Sequence, residues 1–137
     1  MISEKKKDAL KLLGRVLLST IFILAGYGKI VGFGGTVAYA AAFNVPFPEV
    51  AIILAIVFEL LGGLMLLVGF QTRWTALALA VFTLLVSGVF HANFAEQTEV
   101  TMLLKNLAIA GGLLYVKAGG AGRYSVDAKM KKSASSV

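Results

Sequence analysis

Long apolar runs separated by short polar interruptions dominate the pattern along this chain. A helix needs about 20 mostly apolar residues to cross the hydrocarbon of a bilayer. Four segments reach or approach that length: residues 9–31, 49–70, 74–94 and 101–116. The fourth is the shortest and begins with polar residues. Backbone groups must pair internally in lipid, so runs of this length read as helices. The alternation of a membrane barrel strand is absent. The pattern therefore predicts an all-α integral membrane protein, a bundle of four transmembrane helices.

The interruptions fit that division. Gly32, Gly34 and Gly35 loosen the chain after the first run. Pro46 and Pro48 precede the second, where proline is tolerated in a first helical turn. The turn from Gly69 to Arg73 is so short that the second and third helices must be antiparallel neighbours. Residues 1–8 form a basic N-terminal segment, residues 9–127 the membrane domain, and residues 128–137 a Ser- and Lys-rich tail expected to be disordered. The basic start followed by an apolar run could suggest a secretory signal. No small-x-small cleavage site follows it, and Arg15 breaks the run early, so it reads as a retained first helix.

Composition supports a membrane setting. Of 137 residues, 58% are hydrophobic, against about 45–50% in a typical soluble domain. The net charge of +6 does not point to nucleic acid, because the basic residues gather at the chain ends and suit anionic lipid headgroups. Lys5, Lys6, Lys7 and Lys11 lie at one end, Lys117, Arg123, Lys129, Lys131 and Lys132 at the other, and Arg73 in the second connection. The first and third connections carry Glu49, Glu96 and Glu99. The positive-inside rule then predicts that both termini are cytoplasmic, in a multi-pass protein of the bacterial inner membrane. Trp74, Tyr115 and Tyr124 would fall at the inner interface. A faint internal repeat relates Gly62-Gly63-Leu64 to Gly111-Gly112-Leu113, as two parallel hairpins would.

Candidate chemistry rests on the few polar groups inside the runs, since charges there are costly and seldom idle. These are Arg15, Lys29, Glu59, Ser87, His91, Lys105 and Asn106. Glu59 lies about 15 Å into the second helix at ~1.5 Å per residue, near the midplane, and Arg15 is its expected ion-pair partner. Arg15, Ser19, Phe22, Gly26 and Lys29 share one face of the first helix. Glu59, Gly62, Gly63 and Leu66 would share a face of the second, Thr83, Ser87 and His91 of the third, and Lys105, Ala108 and Gly112 of the fourth. Gly26, Gly62, Gly63, Gly111 and Gly112 are expected as helix-packing positions. The converging stripes predict a cationic pocket made by Lys29, His91 and Lys105, open to the outside and closed below by Glu59 and Arg15. It would suit an anion or a quinone-like head group. The alternative is structural: snorkelling lysines, packing glycines and an ion pair that only fixes the bundle.

No cysteine is present and there is one histidine. That excludes an intrinsic disulfide, a thiol relay and bis-histidine haem ligation within one chain, and no metal site is expected. The sequence holds no phosphate loop, dinucleotide fingerprint or nucleophile elbow. No cofactor is identified, and intrinsic enzymatic activity is left open.

Several short motifs in a fixed order resemble the DoxX family of small bacterial membrane proteins. They are Gly14-Arg15, Phe22 to Gly28-Lys29, Gly32-Phe33-Gly34, Glu59-Leu60-Leu61-Gly62-Gly63, Gly69-Phe70-Gln71-Thr72-Arg73, Phe90-His91, Lys105-Asn106-Leu107-Ala108 and Gly122-Arg123-Tyr124-Ser125-Val126-Asp127. The resemblance implies a four-helix inner-membrane fold. It also implies a link to thiosulfate:quinone oxidoreduction or to redox-stress complexes. The leading expectation is an accessory or quinone-handling membrane subunit with soluble or membrane redox partners, and a homo-oligomer is expected because four helices make a thin bundle. A small-molecule transporter using the same pocket and a purely structural membrane partner are the alternatives.

Overall fold

A computed structural model describes residues 1–136 and contains six helices. In chain order they are α1 Glu4–Val31, α2 Phe33–Ala42, α3 Pro48–Val68, α4 Thr72–Phe90, α5 Gln97–Gly119 and α6 Val126–Ser135. Helices α1, α3, α4 and α5 are long and apolar enough to cross a membrane. They are the four expected spans, with α4 and α5 starting earlier and α4 ending earlier than the hydropathy suggests. At ~1.5 Å per residue, α1 is about 42 Å long. Its first turns, carrying Lys5, Lys6 and Lys7, therefore extend past an apolar layer of about 30 Å.

Two close pairs organise the bundle, α1 against α3 and α4 against α5, joined mainly by α3 on α4. Three glycines permit the close approaches. A Cβ on Gly26 would lie 2.7 Å from Leu60 Cγ, and one on Gly63 would lie 2.9 Å from Ile23 Cγ1. These hold α1 on α3. A Cβ on Gly62 would lie 2.8 Å from Leu79 Cδ2, which sets α3 on α4. Gly112 meets Leu18 at an ordinary contact distance, and Gly111 has open space, so the expected packing role does not extend to Gly111 within one chain. Phe22, Leu66, Ala76, Leu79, Ala80, Ala110 and Leu113 form the common core. Most other large apolar side chains face outward, as lipid contact requires.

Two helices depart from expectation. The glycine-rich stretch after α1 continues into α2, because Ala38, Ala40, Ala41 and Ala42 favour helix more than Gly34 and Gly35 oppose it. Ten residues give only about 15 Å, too short to span, so α2 caps one end of the bundle. The chain then reverses through Asn44 and Phe47, both in the left-handed region with φ 58° and 47°. At the other end, the tail expected to be disordered from residue 128 is helical as far as Ser135. Ser125 starts that helix by accepting a hydrogen bond from the Ala128 N–H at 3.1 Å. Val137, the last residue of that expected tail, lies outside the described residues.

Both termini lie at the end opposite α2. Lys11 Nζ donates to Gly119 O at 3.2 Å, and the Arg123 N–H donates to Asp8 Oδ1 at 3.1 Å. The bundle thus has a terminal end and an α2 end.

Candidate functional site

Toward the α2 end, residues of α1, α2, α3 and α4 line a chamber of about 550 Å³. Its walls are mostly apolar, with Ile52, Ala55, Val86 and Val89 among them. Small residues on α1 and α3 leave the room: Ala25, Gly28, Ala51 and Ala55. Polar groups enter at Lys29, Thr36, Glu59 and His91. Apolar walls with a few placed polar groups are the usual make-up of a small-molecule site, and the volume falls within the range of about 300–1,000 Å³ for such sites.

Glu59 and Lys29 form the polar floor. Lys29 Nζ donates to Glu59 Oε1 at 3.0 Å and lies 2.9 Å from Oε2. The second contact lacks hydrogen-bond geometry, so Oε2 is buried with no hydrogen-bond donor. The carboxylate side chain is only 9% exposed and the lysine side chain 25%. A buried carboxylate oxygen without a hydrogen-bond donor is costly unless something else donates to it. The α1–α3 pairing through Gly26 and Gly63 brings the two helices close enough for this ion pair.

The chamber is roofed by α2. Tyr39, Phe43 and Phe90 pack as a cluster with ring centroids 4.9–5.5 Å apart, which fastens α2 to the last turn of α4. His91 follows that turn and lines the chamber. Its Nδ1 lies 2.6 Å from Glu99 Oε2 in the first turn of α5, linking α4 to α5 at this end. Neither α2 nor this latch was legible in the hydropathy. Glu99, eight positions after His91, was the one available signal.

Several expected members lie elsewhere. Arg15 does not pair with Glu59. It sits near the terminal end, 1% exposed, where Nη1 donates to Leu66 O at 3.3 Å and Leu67 O at 3.0 Å, and Nη2 donates to Tyr124 O. The Leu66 and Leu67 carbonyls lie in the last turn of α3 and have no helical donors, and Tyr124 O lies just before α6, so a guanidinium is well matched to all three. Lys29 is nearer the α2 end on the same face of α1 and takes Glu59 instead. Lys105 is exposed on α5, where its Nζ donates to Met102 Sδ at 3.3 Å. The buried stripe of α5 runs through Asn106, Ala110 and Leu113, one position, or about 100°, from the expected stripe. Turning the lysine outward avoids desolvating its ammonium. Asn106 is half-buried outside the chamber. Ser87 is buried, but its hydroxyl donates to Thr83 O at 2.8 Å, a common way to satisfy a hydroxyl inside an apolar helix.

The terminal end is tied by charge. Asp127 accepts from the Gln71 N–H at 2.7 Å and the Thr72 N–H at 2.9 Å, capping α4. Burial alone would raise its carboxyl. The nearby Thr72 hydroxyl and N–H, the Gln71 N–H and the Arg15 charge outweigh that and hold it below the ordinary value. Arg73 Nη1 donates to Lys117 O at 2.8 Å and Ala118 O at 2.6 Å, closing α5 in the way that Arg15 closes α3. Trp74 and Tyr115 are exposed at this end, with Lys117 Nζ 4.1 Å from the Trp74 ring centroid. Among the described residues no group of three His, Asp or Glu side chains could hold a metal ion.

Comparison with known proteins agrees with this architecture. The DoxX family model matches residues 10–92, which run from within α1 to past the end of α4 and include every residue lining the chamber. The Escherichia coli (strain K12) inner membrane protein YqjF is 45% identical over 129 residues, spanning 94% of this chain and 98% of the relative. The inner membrane protein YphA of the same organism is 32% identical over 126 residues, spanning 88% and 90%. No solved structure matches the chain. Four apolar helices with relatives of this kind place the protein in the inner membrane as a multi-pass protein. With the family's span carrying the α1–α3 contact and the Lys29–Glu59 chamber, this chain belongs to the DoxX family.

Proposed function

We propose that this protein is a quinone-handling membrane subunit of a redox system, and that the chamber receives the quinone head group. The observation that carries this reading is the buried Lys29–Glu59 pair on the floor of a mostly apolar chamber of about 550 Å³. A quinone brings reversible two-electron, two-proton chemistry. The chain's own residues bind it and manage protons. Lys29 is a hydrogen-bond donor for a ring carbonyl, and the Glu59 carboxylate can accept a proton from, or return one to, a ring hydroxyl. The apolar walls exclude water around the ring. The electrons then pass to or from a partner protein, since this chain has no cysteine and its single histidine is paired with Glu99. A simple anion would be less well suited, because the carboxylate sits beside Lys29, the one lysine or arginine lining the chamber among the described residues.

Binding of a tail-free benzoquinone to the purified protein tests this reading. Lys29→Met, which removes a charged donor, should weaken binding by roughly 10- to 100-fold. Glu59→Gln keeps the shape and should preserve binding while abolishing any proton uptake coupled to quinone reduction by added partner membranes. Unchanged affinity in Lys29→Met would exclude the chamber as the head-group site.

A further inference from the structure

At the terminal end a separate cleft of about 430 Å³ opens between the start of α4, the glycine-rich connection after α5, and α6. Gln71, Arg73, Asp127 and Lys131 give it a polar, charged wall. Gly119, Gly120 and Gly122 also line it and bring no side chains to fill it. Trp74 is a further wall residue and is largely exposed. It lies in the first turn of a spanning helix, the depth at which tryptophan meets lipid headgroups.

Two cations face this cleft without a counter-ion. Arg73 Nη1 donates to Lys117 O and Ala118 O, which fixes the guanidinium on the last turn of α5. Among the described residues, Nη2 and Nε have no protein acceptor. A Cβ on Gly120 would lie 3.1 Å from Nη2, so the guanidinium lies against bare backbone. Lys131 reaches the cleft because α6 is docked. Asp127, four positions earlier on the same helix face, accepts from the Gln71 and Thr72 N–H groups. Neither Arg73 nor Lys131 pairs with a carboxylate among the described residues. Asp127 lines the cleft too, but its two oxygens are occupied by those helix N–H groups. Lys117 adds a positive charge beside Trp74, with Nζ 4.1 Å from the ring centroid.

A phosphate group suits this set. A guanidinium with donors to spare and a neighbouring ammonium both recognise phosphate oxygens. A bilayer presents phosphates at the depth of Trp74, so a lipid headgroup meets the cleft without leaving the membrane. We propose that the cleft between α4 and α6 binds the headgroup of an anionic phospholipid, with the phosphate held by Arg73 and Lys131. The lipid bridges the two helices. This is one defined site, distinct from the diffuse attraction of the chain-end lysines to a charged leaflet, and it is independent of what the chamber binds.

The full-length protein in detergent is titrated with phosphatidylglycerol, and separately with phosphatidylcholine of the same acyl chains, and bound lipid is counted by native mass spectrometry. Expected is one phosphatidylglycerol retained per chain, with a preference over phosphatidylcholine of about 10-fold or more. Arg73 also closes α5, so Lys131 is the residue to vary. Lys131→Gln should weaken phosphatidylglycerol binding about fivefold, the effect of one cation beside an anionic headgroup, and Lys131→Arg should retain it. Lys132→Gln removes the same charge from an exposed position of the same helix that does not line the cleft, and should change affinity by less than about twofold. Equal losses in Lys131→Gln and Lys132→Gln would reduce the effect to diffuse attraction and overturn the site. Equal retention of the two lipids overturns it as well. Displacement of phosphatidylglycerol by excess inorganic phosphate would make this a site for soluble phosphate and overturn the lipid assignment.

Discussion

Arg15 and Glu59 are both charges in apolar surroundings, and they are stabilised by different means. Arg15 is held by three carbonyl acceptors and the more distant Asp127. Its work is to join the end of α3 to the C-terminal segment. Arg15→Met leaves those carbonyls without donors and should destabilise the protein by about 2–4 kcal/mol, measured as lowered thermal stability in detergent. Arg15→Lys should recover only part of this, because one ammonium cannot reproduce the planar fork. Gly69 is under the tightest constraint nearby. Its φ is +73°, and an added Cβ would collide with Arg15 Nη1 and with Ser125 Cβ, 2.5 Å away. Gly69→Ala should therefore lose at least as much stability as Arg15→Met in the same assay. Glu59 is different in kind. It has one cation, and one of its buried oxygens lacks a hydrogen-bond donor beside a chamber, a costly arrangement that packing alone does not require.

At the scale of elements, the two helices that do not span are held by contacts between distant segments. The cap made by Asp127 fastens α6 to the start of α4. Its carboxyl is held below the ordinary value, so the charged form is favoured in the folded protein. That contribution is complete above the ordinary carboxylate range and is lost as pH falls through the lowered folded value. Amide protection in residues 126–135, corrected for the intrinsic pH dependence of exchange, should fall in acid, and Asp127→Asn should show the same loss of protection at neutral pH. Equal exchange in the variant and the parent would mean that the cap does not hold α6. At the other end, α2 depends on Tyr39, Phe43 and Phe90. Phe90→Ala removes two ring contacts, each worth about 0.5–1.5 kcal/mol. Exchange across Phe33–Ala42 should then rise while α1 and α3 remain protected, which hydrogen-exchange mass spectrometry can resolve.

For the whole molecule, an even number of crossings places both termini on one side, and the charge distribution selects which side. Basic residues gather at the terminal end, and Glu49, Glu96 and Glu99 at the α2 end. The expected orientation has the termini in the cytoplasm and the chamber nearer the outer face. Because the chain has no cysteine, the parent is a clean background for labelling. A thiol introduced by Thr98→Cys should react with an impermeant reagent in intact spheroplasts, and one introduced by Ser3→Cys only after lysis. The opposite pattern would invert the bundle and turn the chamber toward the cytoplasm.

The amino-acid pattern alone determined the class of protein and its four crossings. Lipid leaves few options for runs of this length, and backbone pairing within each helix is local. It also placed Gly26, Gly62 and Gly63 at helix contacts, since a small residue on a polar face has little other use. It did not determine partners. Arg15 and Lys29 lie on the same face of α1, and sequence spacing cannot say which of them lies at the level of Glu59 once α3 runs back alongside. That depends on where the reversal through α2 ends, and α2 itself emerges from a stretch whose glycines suggest a loop. Likewise Lys105 and Asn106 are adjacent, and a rotation of about 100° decides which faces inward. Only the packed bundle settles that rotation, because burying an amide costs far less than burying an unpaired ammonium. Helix formation is a local matter that composition can dictate. The chamber, the Lys29–Glu59 pair and the clamp at Arg15 arise from register between helices, which only their tertiary contact defines.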